Sequence, residues 1–312
     1  MLTHRHATLL LALATICLST SALKGGHARR VTPHARHALT HPTWGLTHNA
    51  GSFRLHSQGK QDGILLYLFQ HLGITNKYFV EFGFNSKTYE GGTGANTFSL
   101  WKHFGWKGLL LDGDNENKAI NLHKEMITPD NIVSLFDKYR VPLEPDYVSI
   151  DIDSSDLWVF RSLIKGGYRP RVVTVEYNIN HPIDSALVQA ADAGVPATGF
   201  DYTFGAALKA VALVAEEMGY VLVHVVKGLD AVLVRKDLIR GVEVHPLEFW
   251  TDCCTNQTLH AVPHPERVGV LLDYSVYQVT GSEDEAKAAA RKYLAARPYL
   301  MTRPSRPTDL DL

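Results

Sequence analysis

Residues 147–153 read YVSIDID, a short apolar run that ends in two carboxylates, Asp151 and Asp153. A run of this length, rich in β-branched and aromatic residues, is typical of a buried strand. Three similar runs surround it, YFVEFG at 78–83, GLLLD at 108–112 and VVTVE at 172–176, and each has an acidic residue at or near its end. The pattern predicts four buried strands with carboxylates along one edge of a sheet.

Helical spacing of apolar residues separates these strands. Ile64 to Leu72 predicts a helix that stops at Gly73, and further helices are predicted over Glu116–Glu125 and Leu157–Ile164. Alternating strands and helices indicate a parallel sheet that helices cover on both faces. Farther on, a helix over Gly205–Met218 precedes a predicted antiparallel hairpin, with strands Val221–Val226 and Ala231–Val234. The predicted fold class is α/β, mostly parallel, with a C-terminal antiparallel hairpin.

Ligands of such sheets bind beyond the carboxyl ends of the strands. The first strand is not followed by G-x-G-x-x-G, and the stretch from Gly91 to Gly94 has no lysine in P-loop register, so dinucleotides and nucleoside triphosphates are disfavoured. S-adenosylmethionine instead carries a cationic sulfonium and a cationic ammonium, which match an acidic edge in sign. A ribose diol can also donate to a carboxylate.

Five segments in register, FVEFGFNSKTYEGGTGANTF, GLLLDGD, ITPDNIVSLF, YVSIDIDSSDLWVF and VVTVEYN, resemble class I S-adenosylmethionine-dependent methyltransferases. The similarity covers about residues 62–237 and is closest to the FkbM-like O-methyltransferase group. It implies a Rossmann-like methyltransferase sheet and a hydroxyl acceptor on a small molecule or glycan.

The resemblance also implies a cofactor site. Glu81 and Gly83 would lie at the methionine end of the cofactor, Asp112 on the ribose hydroxyls and Asp151 at the reactive edge. Asn85 stands where the glycine turn of such enzymes has a second small residue, and asparagine tolerates the left-handed conformation. Two further departures are Ser154-Ser155 in place of a Gly-Asn pair and a faint third strand, for which only Met126-Ile127 is available.

Methyl transfer to a hydroxyl needs in-line alignment and a general base or a divalent cation that lowers the hydroxyl pKa. We expect Asp151, Asp153 and Glu176 to supply either, as catalytic groups or as ligands of Mg²⁺, which prefers oxygen donors. The alternative for Asp153 and Asp156 is capping of the next helix. Tyr177 and Asn178 follow Glu176 and could contact the acceptor or serve as structural hydrogen-bonding groups.

Two other functions are weighed against methyl transfer. A catalytically silent methyltransferase-like domain, serving as a binding or assembly subunit, is compatible with the departures at Asn85 and Ser154-Ser155. An NAD-dependent oxidoreductase lacks its glycine fingerprint. The sequence does not distinguish a monomer from a homo-oligomer.

The first 61 residues contain seven Lys and Arg but no Asp or Glu, and the remaining 251 carry 24 basic and 32 acidic residues. The acidic body argues against nucleic-acid binding. Residues 1–22 predict a signal peptide or targeting leader, with an apolar run over Ala7–Leu18 and cleavage near Ala22. Residues 23–61 predict a basic, flexible linker. The expected location is the secretory pathway, with no stable transmembrane span after leader removal; the alternative is an organelle reached through a two-part signal.

Residues 62–240 would form the methyltransferase-like domain and 241–312 a C-terminal extension with one helix, Ser282–Ala296, and a tail. Asn256 begins an Asn-Gln-Thr glycosylation acceptor. Cys253 and Cys254 are adjacent, which does not match zinc-ligand spacing even with His260 and His264 nearby. A vicinal disulfide, an intermolecular bridge and two unpaired thiols stay open.

Overall fold

The computed structural model describes residues 53–91, 94–191, 203–254 and 268–297. The leader, most of the linker, Asn256, His260, His264 and the tail lie outside the described residues. In the described part of the chain, no helix is long and apolar enough to cross a membrane.

A seven-stranded mixed sheet forms the centre of the molecule, in the order β3-β2-β1-β4-β5-β8-β7. The described strands are β1 Tyr78–Phe82, β2 Lys107–Asp112, β3 Leu122–Lys124, β4 Tyr147–Ile150, β5 Val172–Glu176, β6 Leu187–Gln189, β7 Tyr220–Val225, β8 Asp230–Arg235 and β9 Leu271–Asp273. β1 to β5 pair in parallel, whereas β8 is antiparallel to both of its neighbours. The architecture is α/β and compatible with a Rossmann-like fold, and the predicted C-terminal hairpin is β7–β8.

Helices cover both faces of this sheet. The described helices are α1 Gln61–Leu72, α2 Phe98–Phe104, α3 Ile132–Lys138, α4 Asp156–Lys165, α5 Leu208–Glu217, α6 Tyr274–Thr280 and α7 Glu283–Ala295. α1 and α2 pack on one face, against Phe79, Leu110 and Tyr147, and α3, α4 and α5 pack on the other, against Val80, Leu109 and Val148. Neighbouring strand residues therefore enter opposite cores, which is why the strands read as continuous apolar runs.

The predicted helix Glu116–Glu125 is wrong. Asn117 accepts a hydrogen bond from the Ala119 amide and starts a single 3₁₀ turn, Lys118–Ile120. Asn121 ends the turn in the left-handed conformation, with φ of 56°. The chain then forms β3, so the third strand lies at Leu122–Lys124 and not at Met126-Ile127. Two asparagines that favour turns override the helical periodicity here.

The segment before α1 contacts the domain, although the sequence placed residues 53–61 in the linker. The Asp62 carboxylate accepts hydrogen bonds from the amides of Leu55, His56 and Ser57, at 2.9, 2.9 and 2.8 Å. Phe53 packs against the core on the α1 side. The ordered domain therefore includes residues on both sides of the boundary at Asp62.

The C-terminal extension also packs on the domain. β9 pairs antiparallel with β6, and Leu271 and Leu294 are buried with Leu187. α7 corresponds to the predicted helix, and its cap residue Ser282 accepts from the Glu285 amide at 3.3 Å. α6 is a second helix in this region, absent from the prediction.

Candidate functional site

A cleft of about 460 Å³ opens at the carboxyl ends of β1, β2, β4 and β5. It lies where the strand order reverses between β1 and β4, which is the usual ligand position in open α/β sheets. Its lining includes Gly83, Asn85 and six acidic residues, Asp112, Asp114, Glu125, Asp151, Asp153 and Glu176, but no lysine, arginine or histidine among the described residues. Six of the seven residues predicted to bind the cofactor or a metal or to act in catalysis, all except Glu81, therefore line this cleft.

Gly83 is required by the close approach of two strand ends. Its φ is +62°, and a Cβ placed on it would lie 1.7 Å from the backbone oxygen of Asp151. Any side chain there would push the β1 turn away from the loop after β4. The Glu-x-Gly pattern therefore reflects packing between the two loops that frame the cleft.

Asp112 organises the loop after β2. Its carboxylate accepts from the backbone amides of Asn85 at 2.6 Å, Asp114 at 2.8 Å and Asn115 at 2.7 Å. Burial opposes ionisation, but these hydrogen bonds outweigh it and lower the pKa of Asp112. The group is a fixed anion at neutral pH, and only one protein donor occupies its Oδ2 atom in the described chain.

Asn85 occupies the left-handed region with φ of 52°, as its place in the glycine turn requires. Its backbone amide is the donor to Asp112 Oδ2. This conformation links the β1 turn to the end of β2.

Asp151, Asp153 and Glu176 form the second acidic group of the cleft. One ligand atom from each lies within 4.8 Å of the others. Three carboxylates this close suit a single hard divalent cation or a positively charged organic group. Asp153 is exposed, with φ of 58°, whereas the other two are half-buried.

The pKa values of these carboxyls are displaced upward. Burial, followed by repulsion from Asp230, raises the pKa of Asp151 well above its usual range. Burial, followed by repulsion from Asp151, does the same for Glu176, and partial desolvation by the surrounding cleft residues raises the pKa of the more exposed Asp153. A cation beside these groups would therefore stabilise their ionised forms and lower their pKa values.

Glu81 does not line the cleft. It is 6% exposed, and its carboxylate accepts from the backbone amides of Asn96 at 2.7 Å and Thr97 at 3.2 Å and from the Thr97 hydroxyl. Burial raises the pKa of Glu81 to about 7. Contact with the methionine end of a cofactor, implied by the resemblance, therefore has no support in this geometry, since Glu81 instead anchors the start of α2.

Asp230 is an acidic residue of this region that the sequence analysis missed. It pairs directly with Glu176 across β5 and β8, is 2% exposed, and accepts from Gln61 Nε2 at 2.7 Å and Asn96 Nδ2 at 3.4 Å. Burial raises the pKa of Asp230 to about 6. The sequence shows a carboxylate at the hairpin turn, which is the signal that could have identified Asp230. Its position beside Glu176, however, depends on the β5–β8 register.

Asp156 does not hold the cap position of α4, but as an acidic residue in the first turn it offsets the positive charge at the start of the helix. It is the first residue of the helix, and its carboxylate accepts from the amides of Ile152 at 2.6 Å and Ser154 at 2.9 Å. Ser155 holds the cap position and makes no side-chain cap hydrogen bond. These two hydrogen bonds hold the 151–155 loop against the start of α4.

Tyr177 and Asn178 have structural roles. The Tyr177 hydroxyl donates to the Cys253 carbonyl at 2.7 Å and accepts from the Gly228 amide at 3.0 Å. Asn178 is 1% exposed and donates to the Phe204 carbonyl at 3.1 Å. Cys253 and Cys254 are buried, unpaired thiols.

Comparison with known proteins yields no family model that matches this chain and no matching curated protein. The fold and the cleft define an α/β protein with an acidic cleft at the switch point of its sheet. Such a cleft can hold a cationic ligand and accept a proton from it or from a neighbouring hydroxyl.

Proposed function

We propose that this protein is an S-adenosylmethionine-dependent methyltransferase that acts on a hydroxyl group of a small molecule or glycan. The observation that carries the proposal is the charge of the cleft: six acidic and no basic residues among its described lining. A dinucleotide or nucleoside triphosphate would bring negative phosphates to this surface, at an electrostatic cost. A ligand with a sulfonium and an ammonium gains from the same charges.

The acidic residues fall into two groups with different electrostatics. Asp112, ionised and held by three backbone amides, is suited to accept from ribose hydroxyls. Asp151 and Glu176, whose pKa values are raised, are suited to face the positive charge of the donor. The second group lies at the carboxyl ends of β4 and β5, and Asp112 lies at the carboxyl end of β2. A ligand that contacts both groups therefore has one orientation in the cleft.

In the reaction, the acceptor oxygen forms a bond to the methyl carbon while the carbon–sulfur bond breaks, and the hydroxyl proton must leave. A carboxylate with a raised pKa is the better base for this proton, because its proton affinity is closer to that of the hydroxyl. Asp151 and Glu176 are the candidates for that role. In the alternative arrangement, the carboxylate oxygens of Asp151, Asp153 and Glu176 would hold Mg²⁺ instead of serving as the base, and Mg²⁺ would supply the charge that lowers the pKa of the acceptor hydroxyl.

The test is calorimetric titration with S-adenosylhomocysteine and, separately, with NAD. We expect micromolar affinity for the first and none for the second. Asp112→Asn should weaken S-adenosylhomocysteine binding by at least tenfold, because its amide group presents one acceptor oxygen and no charge. Asp284→Asn is the matched control, because Asp284 is exposed on α7 and does not line the cleft.

Two outcomes would contradict the proposal. Binding of NAD in preference to S-adenosylhomocysteine would indicate a dinucleotide enzyme. Binding of neither by folded protein would favour the catalytically silent domain.

We place this activity in the secretory pathway on the basis of the predicted leader and the acceptor sequence at Asn256. We expect the protein purified from secretory cells to carry additional mass that a glycosidase removes. The Asn256→Gln variant should lack this additional mass. An unmodified protein in those cells would count against this location.

A further inference from the structure

Two histidines, His56 and His103, meet at the surface of the protein by the end of α2 and are here called the histidine pair. Their Nε2 atoms are 3.2 Å apart in a solvent-exposed contact. The two residues lie 47 positions apart in the chain, so folding alone brings their rings together. Neither residue lines the cleft, and the pair is therefore independent of the proposed methyl transfer.

The fold holds both rings of the histidine pair in place. The His56 ring packs against Phe98, with 4.3 Å between the ring centroids, and the His56 amide donates to the Asp62 carboxylate at 2.9 Å. His103 lies in the last turn of α2, and its ring centroid is 5.4 Å from that of His56. A ligand that both rings bind would therefore meet a site that is already ordered, which lowers the entropic cost of binding.

Both rings are neutral at pH 7. Partial desolvation is the main cause and lowers the pKa of His56 and the pKa of His103, to which Lys102 adds and which Asp62 opposes. Neutral imidazole is the form that binds metal ions. Without a metal, one ring donates its Nε2–H group to the Nε2 atom of the other. A shift of that proton to Nδ1 of the same ring frees both Nε2 lone pairs, with no net gain or loss of protons.

The distance between the two Nε2 atoms suits a shared metal ion. Two imidazole nitrogens that bind one tetrahedral ion at about 2.0–2.1 Å lie about 3.3–3.4 Å apart. The observed 3.2 Å needs only a small rotation of the rings to reach this value. Because the contact is exposed, water can complete the coordination shell. Asp62 and Glu90 are the negative charges that act on His56 and favour a cation here, and Lys102 opposes it.

We propose that the histidine pair binds one divalent ion of the kind that prefers nitrogen ligands, such as Zn²⁺, through both Nε2 atoms. Imidazole suits Zn²⁺, Ni²⁺ and Cu²⁺, whereas Mg²⁺ prefers the oxygen ligands that the cleft offers. The ion joins the segment before α1 to α2. Gln58, two residues after His56, lines the cleft, so the same ion stabilises a segment that forms part of the cleft wall.

Thermal unfolding of the full chain with Zn²⁺ tests this proposal, with Mg²⁺ at saturation throughout. An ion that binds folded and unfolded chains equally gives no shift, so the measurement reports only sites that folding creates. At ten times its dissociation constant, Zn²⁺ should raise the unfolding midpoint of the wild-type protein by about 4 °C. His56→Gln and His103→Gln should each lose this rise, because each removes one of the two ligands.

Two control variants separate the histidine pair from other metal ligands. His123→Gln removes a histidine outside the pair, and Asp153→Asn removes a carboxylate of the cleft. Both variants should keep the full rise with Zn²⁺.

Three results would overturn the proposal: no rise with Zn²⁺ in the wild-type protein, a rise that persists in His103→Gln, or a rise that Asp153→Asn abolishes, which would assign the ion to the cleft. If His56→Gln does not fold, the exposed residue His103 decides through its own variant. Failure of S-adenosylhomocysteine to bind would refute the proposed function and would leave this site standing.

Discussion

The affinity of the cleft for S-adenosylmethionine should rise with pH more steeply than its affinity for S-adenosylhomocysteine. The two ligands differ by the methyl group and the positive charge of the sulfonium, so their comparison isolates that charge. Asp151 and Glu176 have raised pKa values in the free protein, through burial first and repulsion second, from Asp230 on Asp151 and from Asp151 on Glu176. A cation beside them favours the ionised form and lowers both pKa values.

The magnitude follows from the spacing of the carboxylates. The ligand atoms of Asp151, Asp153 and Glu176 lie within 4.8 Å of one another, so a cation between them is close to all three. A charge about 4 Å from a carboxylate gains about 4 kcal/mol at an effective dielectric constant of about 20, equivalent to a pKa decrease of about three units. Water in the open cleft reduces this value, and a decrease of one unit is already sufficient for the experiment.

Binding must release a proton wherever a carboxyl is protonated in the free protein and ionised in the complex. Each released proton increases the affinity about tenfold per pH unit, with the stronger binding at higher pH. We therefore expect the affinity ratio of S-adenosylmethionine to S-adenosylhomocysteine to increase with pH, by up to about tenfold per pH unit for each additional proton that S-adenosylmethionine releases.

The assay is calorimetric titration of both ligands at several pH values, each in two buffers of different ionisation enthalpy to count protons. Glu176→Gln is the near-isosteric variant and should reduce the excess proton release. Equal pH dependence for the two ligands in the wild-type protein would refute the reasoning, as would an affinity ratio that falls with pH.

The remaining predictions concern stability and metal binding. Asp62→Asn should reduce the free energy of unfolding by about 3 kcal/mol in urea titrations. The reason is that the buried Asp62 carboxylate accepts hydrogen bonds from three backbone amides and from the Ser57 and Ser99 hydroxyls. The exposed control Asp114→Asn should change the free energy of unfolding by less than about 0.5 kcal/mol. Burial opposes ionisation of Asp62, but these hydrogen bonds outweigh burial and lower the pKa of Asp62. The stability that Asp62 contributes should therefore be present above its pKa in the unfolded chain and be lost as the pH falls through its pKa in the folded protein. If Asp62→Asn loses stability with falling pH to the same extent as the wild-type protein, Asp62 is not the group responsible. Gly83→Ala should be destabilised far more than Gly73→Ala, since both have positive φ but only at Gly83 would the Cβ meet a backbone oxygen, and equal losses in thermal unfolding would refute the contact. Mg²⁺ at ten times its dissociation constant for the wild-type protein should stabilise that protein by about 1.4 kcal/mol and Asp153→Asn by clearly less, because the variant tolerates the same left-handed backbone but replaces a charged ligand with a neutral amide oxygen. Equal stabilisation of both would exclude the cleft as the site.

The strands that position the cleft were predictable because each is buried on both faces. β1, β2, β4 and β5 read as uninterrupted apolar runs, and Asp112 and Asp151 lie at or just past the strand ends, where the ligand edge must be. The hairpin β7–β8 was predictable from its turn. These elements rest on local sequence alone.

Other features depend on contacts that sequence order conceals. β3 has three residues at the sheet edge and only Leu122 is buried, which gives no strand signal. Glu81 lies inside β1 rather than after it, so alternation along the strand points its carboxylate toward α2 instead of the cleft. Asp230 joins the acidic group only through its pairing with Glu176. β6 and β9 are too short to predict and far apart in the chain.

A crystal structure with sinefungin, in which an amine-bearing carbon replaces the sulfonium, tests the electrostatic account of the cleft most directly. We expect the ribose hydroxyls to lie within hydrogen-bonding distance of Asp112 and the amine to face Asp151 and Glu176. An analogue bound at another surface, or bound here with its amine turned away from both carboxylates, would contradict it.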